Sequence, residues 1–87
     1  MKYRLLVDYE VIEFVEVLSR KDQRLLRDRF VVIQDDPQKF SDYAESDSTG
    51  RRVDINICGR YAIKFWQAHA DRHIKILDVR LADKSPQ

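Results

Sequence analysis

Four residues in the second half of the chain have the chemistry to act on a phosphodiester: Arg52, Asp54, Lys64 and Arg80. Breaking a phosphodiester needs a base for the nucleophile's proton, cations at the phosphate and an acid for the leaving oxygen. Asp54 is the base available beside the two cations Arg52 and Lys64. Arg80 can hold a phosphate through two parallel hydrogen bonds, which a lysine cannot. Around this set Arg51 and Arg60 add positive charge, Trp66 offers a ring for a base to stack on, and His73 offers an imidazole as an acid. Each has a plainer reading. An exposed sheet face needs polar residues, Arg–Asp pairs there are weak, and a tryptophan often caps the edge of a core.

Other reactive side chains fall away. His69 and His73 stand four apart, a metal-pair spacing on a helix, but they flank an expected turn and no third ligand is near. Cys58 precedes a glycine with no neighbouring histidine and reads as a small apolar filler. Neither a metal nor a cofactor is expected.

These residues must be positioned by regular elements. Lys2 to Asp8 is short, rich in β-formers and reads as a strand. Val11, Phe14, Val15 and Leu18 recur at i, i+3, i+4 and i+7, with Glu10, Glu13 and Glu16 between them, which predicts an amphipathic helix. Ser19 and Asp22 resemble a capping box opening a second helix, Arg20 to about Gln34, with Leu26, Phe30 and Ile33 as its stripe. Asp36-Pro37 ends it. Residues 38–50 read as a polar loop.

The period then changes to two. Val53, Ile55 and Ile57 alternate with Arg52, Asp54 and Asn56; Cys58-Gly59 reads as a turn; Tyr61, Ile63 and Phe65 alternate with Arg60, Ala62 and Lys64. Gln67 to Arg72 makes a further turn and His73 to Arg80 a last strand. If the odd-numbered apolar residues face the helices, Arg52, Asp54, Asn56, Arg60, Ala62 and Lys64 share an open face. The expected fold is therefore α+β: a β-α-α-β-β-β two-layer sandwich with a helical hairpin on an antiparallel-rich sheet.

Composition agrees. At 87 residues the chain is read as one domain, 1–87. Hydrophobic residues are 44% and charged residues 36%, with 2 Gly and 2 Pro, which excludes a disordered or low-complexity chain. One cysteine excludes a disulfide framework. No apolar run approaches the length of a membrane span, and charge within the opening apolar stretch argues against a signal peptide, so a cytoplasmic setting is expected. The net charge of +1 hides an asymmetry: residues 51–75 carry six cations against two carboxylates, while residues 10–37 are net acidic. An anionic partner is the natural expectation.

The chain resembles the RelE/ParE superfamily of small toxins from bacterial type II toxin–antitoxin pairs. The likeness rests on the opening strand running into Asp8-Tyr9-Glu10-Val11-Ile12-Glu13-Phe14, on the second helix ending at Asp36-Pro37, on Gly50 and on Gly59-Arg60-Tyr61-Ala62-Ile63-Lys64-Phe65. It implies a toxin held inactive by an antitoxin, whose RelE branch cleaves messenger RNA on the ribosome and whose ParE branch inhibits DNA gyrase. In the RelE branch an arginine usually follows the tyrosine of the Gly-x-Tyr segment; here that position is Ala62. The family's basic pair and terminal aromatic residue or histidine are likewise replaced by Val79-Arg80-Leu81-Ala82-Asp83-Lys84. Three readings stay open: an endoribonuclease blocking translation, a gyrase inhibitor, or a catalytically silent binding module. In each, an acidic, otherwise disordered antitoxin tail is expected to cover the basic region.

Overall fold

The computed structural model describes residues 3–82; Lys2, Asp83 and Lys84 lie outside them. The chain order is β1 (Arg4–Val7), α1 (Tyr9–Glu16), α2 (Arg20–Asp35), β2 (Tyr43–Ser46), β3 (Arg52–Cys58), β4 (Tyr61–Ala68) and β5 (His73–Leu81). The strands form one sheet in the order β1-β5-β4-β3-β2, with β1 parallel to β5 and every other pair antiparallel. The α+β two-layer architecture stands, with one strand added to the expected order. That strand, β2, is exposed at all four residues and sits at the sheet edge, so it carries no apolar alternation that a pattern could reveal.

The helical hairpin covers one side of the sheet. Val11 and Val15 of α1 and Leu26, Phe30 and Ile33 of α2 pack on Tyr61, Ile63, Phe65, Ile74, Ile76 and Val79. The helix stripes are thus as the spacing predicts. Ser19 caps α2 by accepting a hydrogen bond from the Asp22 amide at 3.2 Å. The reciprocal half of the box is absent, because the Asp22 carboxylate turns instead to Tyr61 Oη (2.6 Å) and Arg60 (2.9 Å). A link within the helix end has become a link from helix to sheet.

The turns explain how the strands meet. Gly59, at φ 61°, sits in the tight turn between β3 and β4, where a side chain at that φ would be strained. Cys58 lies opposite Tyr61, so the turn residues are Gly59 and Arg60 and not Cys58 and Gly59. A two-residue loop at either position pairs the odd residues of β3 with the even residues of β4, and that parity decides the face. Pairing across a two-residue loop puts Asn56 opposite Ile63 and Asp54 opposite Phe65, on the helix side. Val53, Ile55 and Ile57 therefore lie on the other side, reversing the face expected for β3. In β5 an irregularity inserts Leu77, so that Lys64 faces Asp78 while Phe65 faces Ile76. Among the described residues, no helix is long and apolar enough to cross a membrane.

Candidate functional site

The side of the sheet away from the helices carries an exposed chemical surface. At its centre a depression of about 110 Å³ is lined by Tyr43 and Glu45 of β2, Ile55 of β3, Ala62 and Lys64 of β4, and Asp78 and Arg80 of β5. Register explains the grouping. Tyr43 pairs with Ile55, Ile55 with Lys64 and Lys64 with Asp78, one row across four strands, and Ala62 pairs with Arg80 in the next. Arg80 donates from Nε to Asp78 Oδ2 at 2.7 Å, and Lys64 Nζ lies 3.6 Å from Glu45 Oε1. Two cations and two carboxylates thus meet around one hollow.

A second group lies farther along the same face. The Arg51 guanidinium sits 4.3 Å from the centre of the Trp66 ring, and the His73 ring meets Trp66 edge-on at 5.8 Å. Arg51 is held to Asp47 at 3.1 Å. Asp47 organises that turn: its Oδ1 accepts from the Thr49 hydroxyl (2.7 Å) and from the amides of Thr49 and Arg51. The Thr49 hydroxyl, first among these bonds, holds the Asp47 carboxyl down at about 2. Val53 and Ile55 are almost fully buried although they face away from the helices, so Trp66 and its neighbours cover a small apolar patch on this face.

Of the eight residues expected to share the site, five lie on this face: Lys64, Arg80, Arg51, Trp66 and His73. Three do not. Asp54 is 3% exposed and points to the helix side, where it accepts from the Ser41 hydroxyl at 2.7 Å and pairs with Arg52 at 3.0 Å. Arg52 goes with it. Arg60 occupies the β3–β4 turn and pairs with Asp22. The cause is the register of the β3–β4 turn, which turns the polar residues of β3 inward. There they have partners: the Asn56 carbonyl accepts from Arg29 at 3.0 Å, and its amide donates to the Phe40 carbonyl at 3.0 Å. Asp54 and Asn56 fasten the segment after α2 to the sheet.

Three residues of the hollow, Asp78, Glu45 and Tyr43, were missed. Finding Asp78 needed the Leu77 irregularity, without which Lys64 would face a leucine; Glu45 and Tyr43 needed β2. His69 lies in the exposed β4–β5 turn, and among the described residues no three His, Cys, Asp or Glu group as metal ligands. The Cys58 thiol is fully buried, and burial raises its pKa.

The free positive charge lies elsewhere. Each lysine and arginine of the hollow and the stack has a carboxylate partner, and the His73 Nδ1 is buried without a hydrogen bond. On α2, by contrast, Arg20, Arg24 and Arg27 line a shallow groove, and none has a carboxylate within ion-pair distance among the described residues. Arg27 also borders an apolar groove of about 350 Å³ formed by Leu5, Val7, Val11, Ile12, Phe30 and Val31 with their neighbours.

No family model matches the chain, and no curated protein matches it by sequence. Solved structures do. A chain of the archaeal RelE–RelB complex from Pyrococcus horikoshii OT3 superposes with a TM-score of 0.81 at 18% identity, over 98% of this chain and all of that one. The free E. coli toxin RelE, in a form with two arginines changed to alanine, superposes with a TM-score of 0.73 at 14% identity, over 98% of this chain and 88% of that one. The fold is that of RelE toxins.

Proposed function

We propose that this chain is the toxin of a two-protein pair and that it cleaves RNA in the hollow of the open sheet face. The observation that carries the reading is the grouping of Lys64, Asp78, Arg80 and Glu45 on a RelE fold. Lys64 and Arg80 bind the scissile phosphate and leave their carboxylates as they do so. Asp78, in place of the Asp54 expected from sequence, accepts the 2′-hydroxyl proton. The 2′-oxygen then bonds to phosphorus, the bond to the 5′-oxygen breaks, and the leaving oxygen takes a proton from the Lys64 ammonium. The products are a 2′,3′-cyclic phosphate and a free 5′-hydroxyl. Ala62 leaves the floor of the hollow without a third cation, so turnover rests on two. Translating messenger RNA, in the cytoplasm, is the substrate this reading assigns.

Induction in a bacterium followed by mapping of transcript ends tests it. New ends carrying 5′-hydroxyls are expected, and they should vanish in Lys64→Ala and Arg80→Ala. Unchanged transcripts together with blocked gyrase supercoiling would replace it by the gyrase-inhibitor reading, which Ala62 favours. Neither effect would leave a silent binding module.

The partner of this reading is a protein with an acidic, amphipathic segment, and the α2 side suits it better than the sheet. Lys64, Arg80 and Arg51 are already paired, whereas Arg20, Arg24 and Arg27 have no carboxylate partner among the described residues, and Arg27 borders the apolar groove. Apolar anchors would enter the groove while acids meet the arginines. Reversing Arg24 and Arg27 should slow association at low salt more than reversing Arg52 and Lys64. The opposite order would return the segment to the sheet face.

A further inference from the structure

Trp66 and Arg51 form a stacked pair on the open face, two residues along β4 from Lys64. Side chains two apart on a strand share a face and lie about 6.6 Å apart along it. A nucleotide whose phosphate sits at Lys64 and Arg80 therefore brings a neighbouring, unstacked base within reach of the Trp66 ring. The ring is partly exposed, its centre lies 5.8 Å from that of the His73 ring at a near-perpendicular angle, and the Arg51 guanidinium lies over it at 4.3 Å. That guanidinium is itself exposed and is held by one half-buried carboxylate, Asp47, in a contact that solvent weakens. Two further cations lie near: Lys75, directly across the β4–β5 pair and itself 3.4 Å from Asp8, and Arg4, opposite His73 on β1.

We infer that Trp66 is a base-stacking platform for single-stranded RNA and that Arg51 is its displaceable cover. A base takes the place of the guanidinium on the ring, and Arg51 swings toward the backbone phosphate of the incoming strand. Stacking on an aromatic ring is indifferent to base identity, so the platform fixes position and not sequence. It makes the enzyme select an unpaired nucleotide beside the cleaved bond. A duplex, whose bases are already stacked, cannot use it. The inference rests on the RNA-cleaving reading, since it names how that substrate is held.

Trp66 is the only tryptophan in the chain, so its emission reports on this position alone. A 2′-O-methyl oligoribonucleotide, which cannot be cleaved, is titrated into the wild-type protein while tryptophan emission and the anisotropy of an end label are followed together. Emission should be quenched with the same midpoint as the anisotropy. Trp66→Leu should weaken binding about 5- to 150-fold, with Trp66→Phe largely restoring it. The same strand annealed into a duplex should bind more weakly and leave emission unchanged. Binding of the single strand without a change in emission, or unaltered affinity in Trp66→Leu, overturns the platform and leaves the nuclease reading standing. No binding of the single strand overturns both. The emission measurement needs no variant, so it holds even if a Trp66 substitution fails to fold.

Discussion

Strands β3 and β4 are two arms of one hairpin with the same alternation in sequence and opposite outcomes in the fold. In β4 the apolar set, Tyr61, Ile63 and Phe65, enters the main core beneath the helices. In β3 the apolar set, Val53, Ile55 and Ile57, faces away from the helices, and the inward side carries Asp54, Asn56 and Cys58. A period of two separates the faces of a strand without saying which one is inward. In a hairpin that choice passes from one arm to the other through the turn. β4 is held by packing and β3, on its inner side, by a polar clamp of Arg29, Ser41, Asp42 and the Phe40 carbonyl.

The sharpest way to break this comparison is to ask which side of β3 a reagent can reach. Cys58 is fully buried with a raised pKa, and Ile57 beside it is 40% exposed. In the native protein Cys58 should react with an aromatic disulfide only through opening of the structure. Ile57→Cys in a Cys58→Ser background should react at nearly the rate of an open thiol. For opening free energies of about 4–5 kcal/mol the two rates differ about a thousandfold or more. Comparable rates would mean that β3 presents the other side.

Next in size is the clamp. Asn56→Ala strands the Arg29 guanidinium and the Phe40 carbonyl and should cost about 2–4 kcal/mol in urea unfolding, with an unchanged slope. Ile57→Ala, on the exposed side, should cost less than about 1 kcal/mol. Asp54→Asn should lower stability through its bonds to Ser41 and Arg52, and Asp78→Asn should not. Cleavage per folded molecule should fall far more in Asp78→Asn than in Asp54→Asn, and the reverse would restore Asp54 as the base.

The reversed face was legible in principle. With Gly59 and Arg60 as the turn, Cys58 must face Tyr61, and an inward Tyr61 forces Asn56 and Asp54 inward too. The pattern Val-x-Ile-x-Ile argued the other way because burial was expected only beneath the helices. Val53 and Ile55 are buried instead on the open face by Trp66, Tyr43 and the paired charges around them. The helices were legible throughout, since a stripe of Leu26, Phe30 and Ile33 has only one side to bury. The residues that line the candidate site were legible in part. Lys64, Trp66 and Arg80 follow from alternation within their own strands, whereas Asp78 and Glu45 depend on the irregularity at Leu77 and on a four-residue edge strand without an apolar pattern.

The smallest effect is on acid stability, and it compares how the two arms are tied at their ends. Tyr61, where β4 begins, donates to Asp22 of α2, and this bond, ahead of the one from Arg60, lowers the Asp22 pKa. Asp47, just ahead of β3, is lowered from 3.8 to about 2 chiefly by the Thr49 hydroxyl. A carboxyl whose pKa is lower folded than unfolded stabilises the fold above its unfolded value, and that contribution is lost as pH falls through the folded value. Both therefore stabilise from about pH 4 upward and cease to at lower pH. The two differ in what the unfolded chain retains. The partners of Asp47 lie within four residues, so part of that turn persists after unfolding and part of its shift cancels. Asp22 and Tyr61 are 39 residues apart and lose each other completely. Unfolding midpoints followed from about pH 5 to pH 2 should therefore slope less steeply in Asp22→Asn than in wild type. Tyr61→Phe should flatten the same limb through the same bond. Asp47→Asn should change it less than the full shift of Asp47 implies. A limb that Asp22→Asn leaves unchanged would mean that the tie from α2 to β4 carries no folding free energy and that β4 is held by its core packing alone.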